Sequence, residues 1–291
     1  MELTATYRAR LDRVLRYLDE NPDGPQDLET LSGIAAFSKF HFQRQFSAFF
    51  GVSAGAYGQR LRLLRAAQWL AYYPKRRVLD IALDSGYAGP EAFARAFRQL
   101  FGQSPSAFRA APDWPSWHAA TQAIQEVRMT QARRDYSPSD VEIVDFPATP
   151  LMVLMHRGDP ALLGETIRRF IAWRRAHKLP PQRFATFNLA YDDPATTPPE
   201  AYRFGLGVAT HQNYPPDDSG LEPLTIPAGR CAKIRHIGPD SGIAGAVLYL
   251  YRAWLPQSGL SPRDFPLFFQ RVTLFPDVPE AEMVTDIFLP V

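Results

Sequence analysis

Residues 37–51 read FSKFHFQRQFSAFFG, six phenylalanines in fifteen residues with Lys39, His41, Gln43 and Arg44 set among them. Successive residues of an α-helix turn by about 100°. With Phe42 at zero, Phe46 and Phe49 fall within about 40° of it and form one apolar face. Phe40 and Arg44 fall on roughly the opposite side, flanked by Gln43 and Ser47. The stretch predicts an amphipathic helix that buries Phe42, Phe46 and Phe49 and leaves Phe40, Gln43 and Arg44 outside. Partial packing of Phe40 on its own subdomain is the competing reading.

The pattern recurs. FQRQFSAFFGVS, Phe42–Ser53, is matched by FARAFRQLFGQS, Phe93–Ser104. The same wheel puts Phe93, Phe97 and Leu100 inside and Glu91, Arg95 and Arg98 outside. A short amphipathic segment and a turn precede each copy. Leu28–Ala35 is followed by Ser38, a natural N-cap. Leu79–Ser85 is followed by Gly86, which permits the turn. Gly89-Pro90-Glu91 then supplies a cap position, a proline suited to the first turn and an acid near the positive end of the dipole. A short helix, a turn and a second helix with a polar outer face is the helix-turn-helix arrangement, present here twice. Tyr57–Ala71 predicts the helix that joins the two.

The totals bound the rest. A chain of 291 residues suggests about two domains. No run of roughly 18 apolar residues is present, so no membrane span is expected. The lone Cys231 permits no internal disulfide, and a reducing cytoplasmic setting fits. Residues 1–110 hold 15 Lys/Arg against 10 Asp/Glu, and the remainder 17 against 20. A mildly basic first third permits nucleic-acid binding without demanding it.

From about residue 138 the texture changes to short β-branched and aromatic runs: VEIVDF, LMVLMH, FATFNLAY, FGLGVAT, CAKIRHI and TDIFLPV. Helical stretches around Leu162–His177 and Ala244–Trp254 lie between them. The expected organisation is an all-α double helix-turn-helix domain over 1–110, a linker over 111–138, and an α+β domain over 139–291. The second half also echoes itself. Met155-His156-Arg157-Gly158 matches Arg235-His236-Ile237-Gly238, and Phe170-Ile171-Ala172-Trp173 matches Tyr251-Arg252-Ala253-Trp254.

Catalysis finds little support. Cys231 and His236 are five apart in one apparent strand, hence on opposite faces, and cannot pair as nucleophile and base. No HExxH, phosphate-binding glycine loop or GxSxG occurs. No metal or cofactor is expected. Asp192 and Asp193, before Pro194, suit a turn, with Arg203 as an ion-pair partner.

Two family resemblances follow from these residues. Residues 5–109 resemble the AraC/XylS DNA-binding domain through Leu28-Glu29, Ser38, Arg44-x-Phe46, Gly51-x-Ser53, Tyr57, Arg62, Ala66 and Leu70. Ile81-Ala82, Gly86-Tyr87, Phe93-x-Arg95-x-Phe97, Phe101-Gly102-x-Ser104-Pro105 and Arg109 continue the match. The resemblance implies that both second helices enter successive major-groove segments of double-stranded DNA. By motif position Phe40, Gln43 and Arg44 face bases in the first reader, and Glu91 and Arg95 in the second. Arginine can donate two bonds to guanine, glutamine can pair with adenine, and an aromatic can lie on a thymine methyl. Glu91 is either a cytosine contact or a helix N-terminal residue. Ala36 departs from the pattern, standing where the family has a turn glycine.

Residues from about 140 to 291 resemble the GyrI-like small-molecule-binding domain. The match runs through Tyr191-Asp192-Asp193-Pro194, Thr197-Pro198-x-Glu200, Tyr202-Arg203, Gly229-Arg230, His236-x-Gly238-Pro239, Trp254-Leu255-Pro256-x-Ser258-Gly259 and Thr285-Asp286-Ile287. The resemblance implies two related α/β repeats with a ligand cleft between them; the aromatic residues Trp173, Tyr191, Trp254 and Phe269 are candidates for its wall, with ordinary core as the competing reading. Phe269 stands where such domains often carry a glutamate for cationic ligands. The implied effector is therefore neutral or aromatic. The implied whole is a transcription regulator, reader first and sensor second, with RNA polymerase as a possible further partner. The alternatives are a C-terminal small-molecule hydrolase and a ligand-sequestering module.

Overall fold

The computed structural model describes residues 2–129, 136–212, 214 and 219–291. The chain forms two compact units, Met1–Arg133 and Arg134–Val291.

The first unit is helical: α1 (Glu2–Glu20), α2 (Leu28–Ala35), α3 (Lys39–Phe50), α4 (Ala54–Tyr72), α5 (Val78–Asp84), α6 (Pro90–Phe101), α7 (Pro105–Ala110) and α8 (Trp114–Met129). Helix α1 buries Leu11, Val14, Leu15 and Leu18, an i, i+3, i+4, i+7 stripe. Helix α4 joins the two helix-turn-helix motifs and is buried along most of its length, from Tyr57 through Leu61 and Ala66 to Leu70. Inside it Arg65 pairs with Asp23 and donates to the Asp84 carbonyl at 3.0 Å, holding α4 to both flanking segments.

The caps follow the sequence. Ser38 Oγ accepts from His41 N at 3.4 Å, Ser53 Oγ from Ala56 N at 3.2 Å and Ser104 Oγ from Ala107 N at 3.2 Å. The turn at Ala36 has φ 53° and ψ 43°, the left-handed conformation that a side chain opposes by about 1–2 kcal/mol. Its counterpart in the second motif is Gly86, at φ 78°.

Residues 111–138 were expected to link the domains. They hold α8, which packs on the first unit. Arg128 pairs with Asp19 at 3.0 Å, and Asp19 also accepts from the Tyr57 hydroxyl at 2.8 Å. Burial, with Asp19 alongside, drives the Tyr57 phenol well above its ordinary pKa. Trp114 stacks on Tyr72 at 6.2 Å, and Trp117 lies 6.0 Å from Phe108.

The second unit is one eight-stranded antiparallel sheet. Its strands are β1 (Val141–Phe146), β2 (Thr149–Arg157), β3 (Thr186–Ala190), β4 (Arg203–Ala209), β5 (Leu221–Ile226), β6 (Gly229–Ile237), β7 (Leu267–Arg271) and β8 (Val284–Pro290). Helix α9 (Leu163–Ala176) follows β2. Helix α10 (Ile243–Tyr249), a π turn (Leu250–Trp254) and α11 (Leu255–Ser258) follow β6. The spatial order is β1-β6-β8-β7-β3-β4-β2-β5. Two-residue connections join β1 to β2 and β5 to β6, although each pair lies at opposite ends of that order. A connection so short spans about 10 Å, so the sheet must curl until its edges approach. The inner face of the curl buries Phe146, Leu151, Val153, Phe187, Leu189, Ile226, Cys231, Phe268 and Phe288. The helices cover the outer face.

The duplication is explicit. Val141 corresponds to Leu221 and Thr149 to Gly229, an offset of 80; Thr186 corresponds to Leu267 and Arg203 to Val284, an offset of 81. The one extra residue falls in the segment that contains the π turn, the usual way a helix absorbs an insertion. Buried Phe170 therefore matches buried Leu250, the first residue of the turn, at the offset of 80. Tyr251, its expected match, is 42% exposed. Trp254, the last residue of the turn, matches Trp173 at the offset of 81.

Candidate nucleic-acid interface and ligand site

Helix α3 divides as its wheel requires, with one correction. Phe42, Phe46 and Phe50 are buried, whereas Phe49, expected inside, is 43% exposed. The buried set runs i, i+4, i+8, with ring centroids 5.7 Å apart from Phe42 to Phe46 and 4.7 Å from Phe46 to Phe50. Packing follows that row of side chains rather than the mean of the wheel. Helix α6 repeats it. Phe93, Phe97 and Phe101 are buried at spacings of 5.5 and 4.5 Å, and Leu100 is only half-buried.

Phe40 is 87% exposed, so it does not pack on its own subdomain. Phe40, Gln43 and Arg44 line one shallow groove of ≈ 870 Å³ with Leu28, Lys39, His41 and Ser47. Lys39 is steered by Glu29 at 3.2 Å. Among the described residues nothing hydrogen-bonds or ion-pairs with Arg44, whose donors stay available. The first reader thus presents an apolar ring, an amide and a guanidinium on adjacent turns. Lys39 and Ser47 belong to the same surface; Ser47 follows from the same wheel, whereas Lys39 lies near Phe46 on it and is exposed because it opens the helix.

On α6, Glu91 and Arg95 are both exposed. Gly89 is the N-cap, with no side-chain cap bond, and Pro90 opens the helix. The Glu91 carboxylate folds toward Gly89, 3.5 Å from where a Cβ would stand. An acid there is stabilised by the helix dipole and repels phosphate.

In the second unit the four expected wall residues occupy three places. Trp254 and Phe269 share one cluster on the outer face with Leu250, Ile287 and Phe204. Trp173 lies in a separate cluster under α9, stacked on His177 at 4.1 Å with Tyr214 at 5.1 Å. Tyr191 packs against the inner-face cluster, with the Arg203 guanidinium 5.4 Å from its ring centre. Trp254 and Phe269 are together; Trp173 and Tyr191 are elsewhere.

Phe269 is directly paired with Asn188 in the β3–β7 register. Asn188 lies on the same outer face, half-buried, and its amide makes no hydrogen bond among the described residues. Sequence reading passed over it. Aligning ATFNLA with PLFFQR at the repeat offset sets Asn188 against Phe269, and that signal could have found it.

The remaining polar groups are structural. His156 and His236 are buried twins, their Nε2 atoms 3.1 and 2.9 Å from the carbonyls of Asp159 and Pro239. Asp192 takes two bonds from Arg203, at 2.8 and 2.9 Å, and Asp193 accepts from Ala195 N at 2.9 Å in its turn. Cys231 and His236 lie on opposite faces. Burial pushes the Cys231 thiol up, which makes it a poor nucleophile. Arg174 is held by Leu179 O, Phe184 O and Thr186 Oγ1 at 2.6–2.8 Å, and burial lowers its pKa to about 10. Among the described residues no group of three or more metal-ligating side chains occurs, and no helix is long and apolar enough to cross a membrane.

Comparison with known proteins agrees with this division. Residues 139–291 match the family model of the GyrI-like small molecule binding domain, and residues 31–111 match a helix-turn-helix domain model. The probable transcriptional regulator YgiV of Escherichia coli K12 is 38% identical over 152 residues, covering 52% of this chain and 95% of YgiV. The right origin-binding protein of the same organism is 35% identical over 104 residues, 36% of each chain. The regulatory protein SoxS of Salmonella typhimurium is 32% identical over 99 residues, 34% of this chain and 92% of SoxS. The chain belongs to the GyrI-like small-molecule-binding family and carries its domain behind an AraC-type helix-turn-helix reader.

Proposed function

We propose that the protein is a transcription regulator in which α3 reads base sequence, α6 mainly holds the duplex, and the second unit senses a neutral or aromatic molecule. The carrying observation is the bare surface of α3: an 87% exposed phenylalanine beside an unpaired arginine and a glutamine, fixed by a buried aromatic ladder. A phenylalanine as exposed as Phe40 contributes little to the packing of its own unit. On a thymine methyl it would gain an apolar contact. Helix α6 offers Arg95 but carries Glu91 in its first turn, which favours positioning over readout. Phe269 in place of a carboxylate removes the charge that a cationic effector would need. Among the described residues no nucleophile–base geometry supports a hydrolase, and a binding role for the second unit accounts for its residues more simply. An effector-dependent contact with RNA polymerase is part of the same reading.

Selection from a random duplex library tests it. An enriched motif is expected, and Arg44→Ala should weaken binding to it and relax its base preference. If no motif is enriched and Arg44→Ala changes neither affinity nor salt slope, the regulator reading fails.

A further inference from the structure

Resting on the effector reading above, we propose that the polar anchor of the ligand site is Asn188, supplied by the first repeat, and that the ligand is a flat uncharged aromatic carrying one hydrogen-bonding group. The two repeats meet at β3 and β7, which pair antiparallel from Thr186↔Arg271 to Ala190↔Leu267. The middle pair is Asn188↔Phe269, and at the repeat offset of 81 these residues are also each other's counterparts. The approximate twofold of the duplication therefore passes between them, at the centre of the helix-covered face. One carries an aromatic ring, the other an amide.

The surroundings are apolar. Across β4, Asn188 faces Leu206. Phe269 is buried with Leu250, Ile287 and Leu289, and Phe204 and Trp254 pack against that cluster half-buried. Phe204 touches the clusters under both α9 and α10 and so bridges the two halves. The Phe204 and Phe269 rings are 6.5 Å apart, tilted by 37°. Within this floor the Asn188 amide keeps a donor and an acceptor unused. Arg271 on β7 is engaged with Asp240, and Arg174 of α9 with Thr186 and two carbonyls. Binding sites of this kind set orientation with a few polar groups in an apolar lining. A neutral amide suits a hydroxyl or amide substituent and offers a fixed cation no counter-charge.

Calorimetric titration of the full chain at pH 7 with naphthalene, 2-naphthol and trimethyl(2-naphthyl)ammonium tests this. 2-Naphthol should bind at least tenfold more tightly than either of the others. Asn188→Leu should abolish the preference for 2-naphthol over naphthalene while naphthalene affinity stays within threefold. Asn188→Asp should raise affinity for the ammonium probe at least tenfold. Equal affinity of the wild type for 2-naphthol and naphthalene, or an unchanged preference in Asn188→Leu, overturns the assignment and leaves the effector reading standing. Tight wild-type binding of the ammonium probe, or no binding of any of the three, overturns the effector reading and the assignment together.

Discussion

Helices α3 and α6 share an interior and differ at the surface. Both bury three phenylalanines at i, i+4 and i+8, and both end on a glycine with φ near 70°. Outside, α3 shows Lys39, Phe40, Gln43 and Arg44, and α6 shows Glu91, Arg95 and Arg98. The interior is dictated by what it packs against and so repeats. The exterior is exposed, so its chemistry can differ, and the basic α3 surface and the acid-led α6 surface do differ. The second unit has the same logic at its centre. The repeats share strands, turns and the buried histidine, and diverge at Asn188 and Phe269, where the two halves meet.

The comparison can be broken first at the shared interior. Phe46→Ala and Phe97→Ala should each destabilise the first unit by about 3–5 kcal/mol, since each removes a fully buried ring from a ladder. Denaturant unfolding followed by circular dichroism would show it, and unequal costs would mean that the two motifs do not pack alike. At the exterior the variants should diverge. Arg44→Ala should cost about 1–3 kcal/mol on the selected duplex and relax base preference. Arg95→Ala should weaken all sequences alike and lower the salt slope by about one charge. Competition binding at several salt concentrations separates the two behaviours. Smaller still is the turn. Ala36→Gly should stabilise the first unit by about 0.5–1 kcal/mol, because Ala36 is held left-handed and its counterpart Gly86 is not penalised. Smallest is Glu91→Gln, which should tighten DNA binding about two- to threefold by removing a charge near phosphate while the helix keeps its N-terminal proline.

Much of this was legible in the residues. Periodicity found both reader helices, their caps and their outer faces, because Phe, Ser and Gly at these spacings admit few other structures. The wheel misplaced Phe49 and left Phe50 unassigned because it averages a face, while the neighbouring helices follow the i+4 row. Two strands escaped. LEPLTI contains Pro223, which a central strand would not accept, but β5 is an edge and tolerates it. LFFQR is short and follows Pro266, so it lacked the alternation that marks a strand. The helix within residues 111–138 was visible, but its docking depends on Arg128 meeting Asp19, 109 residues apart, and no local pattern encodes that. The wall residues of the ligand site were the least legible. Aromatic character suggested all four, but which share a face depends on how the sheet curls and where the repeats meet.

The central claim is that the two readers divide the work. Its most direct measurement uses the selected duplex with each half-site scrambled in turn, bound by wild type, Arg44→Ala and Arg95→Ala. Scrambling the half read by α3 should cost the wild type at least tenfold and cost Arg44→Ala almost nothing. Scrambling the other half should cost all three proteins less than threefold. Equal losses at both halves, or a loss in Arg44→Ala as large as in wild type, would contradict it.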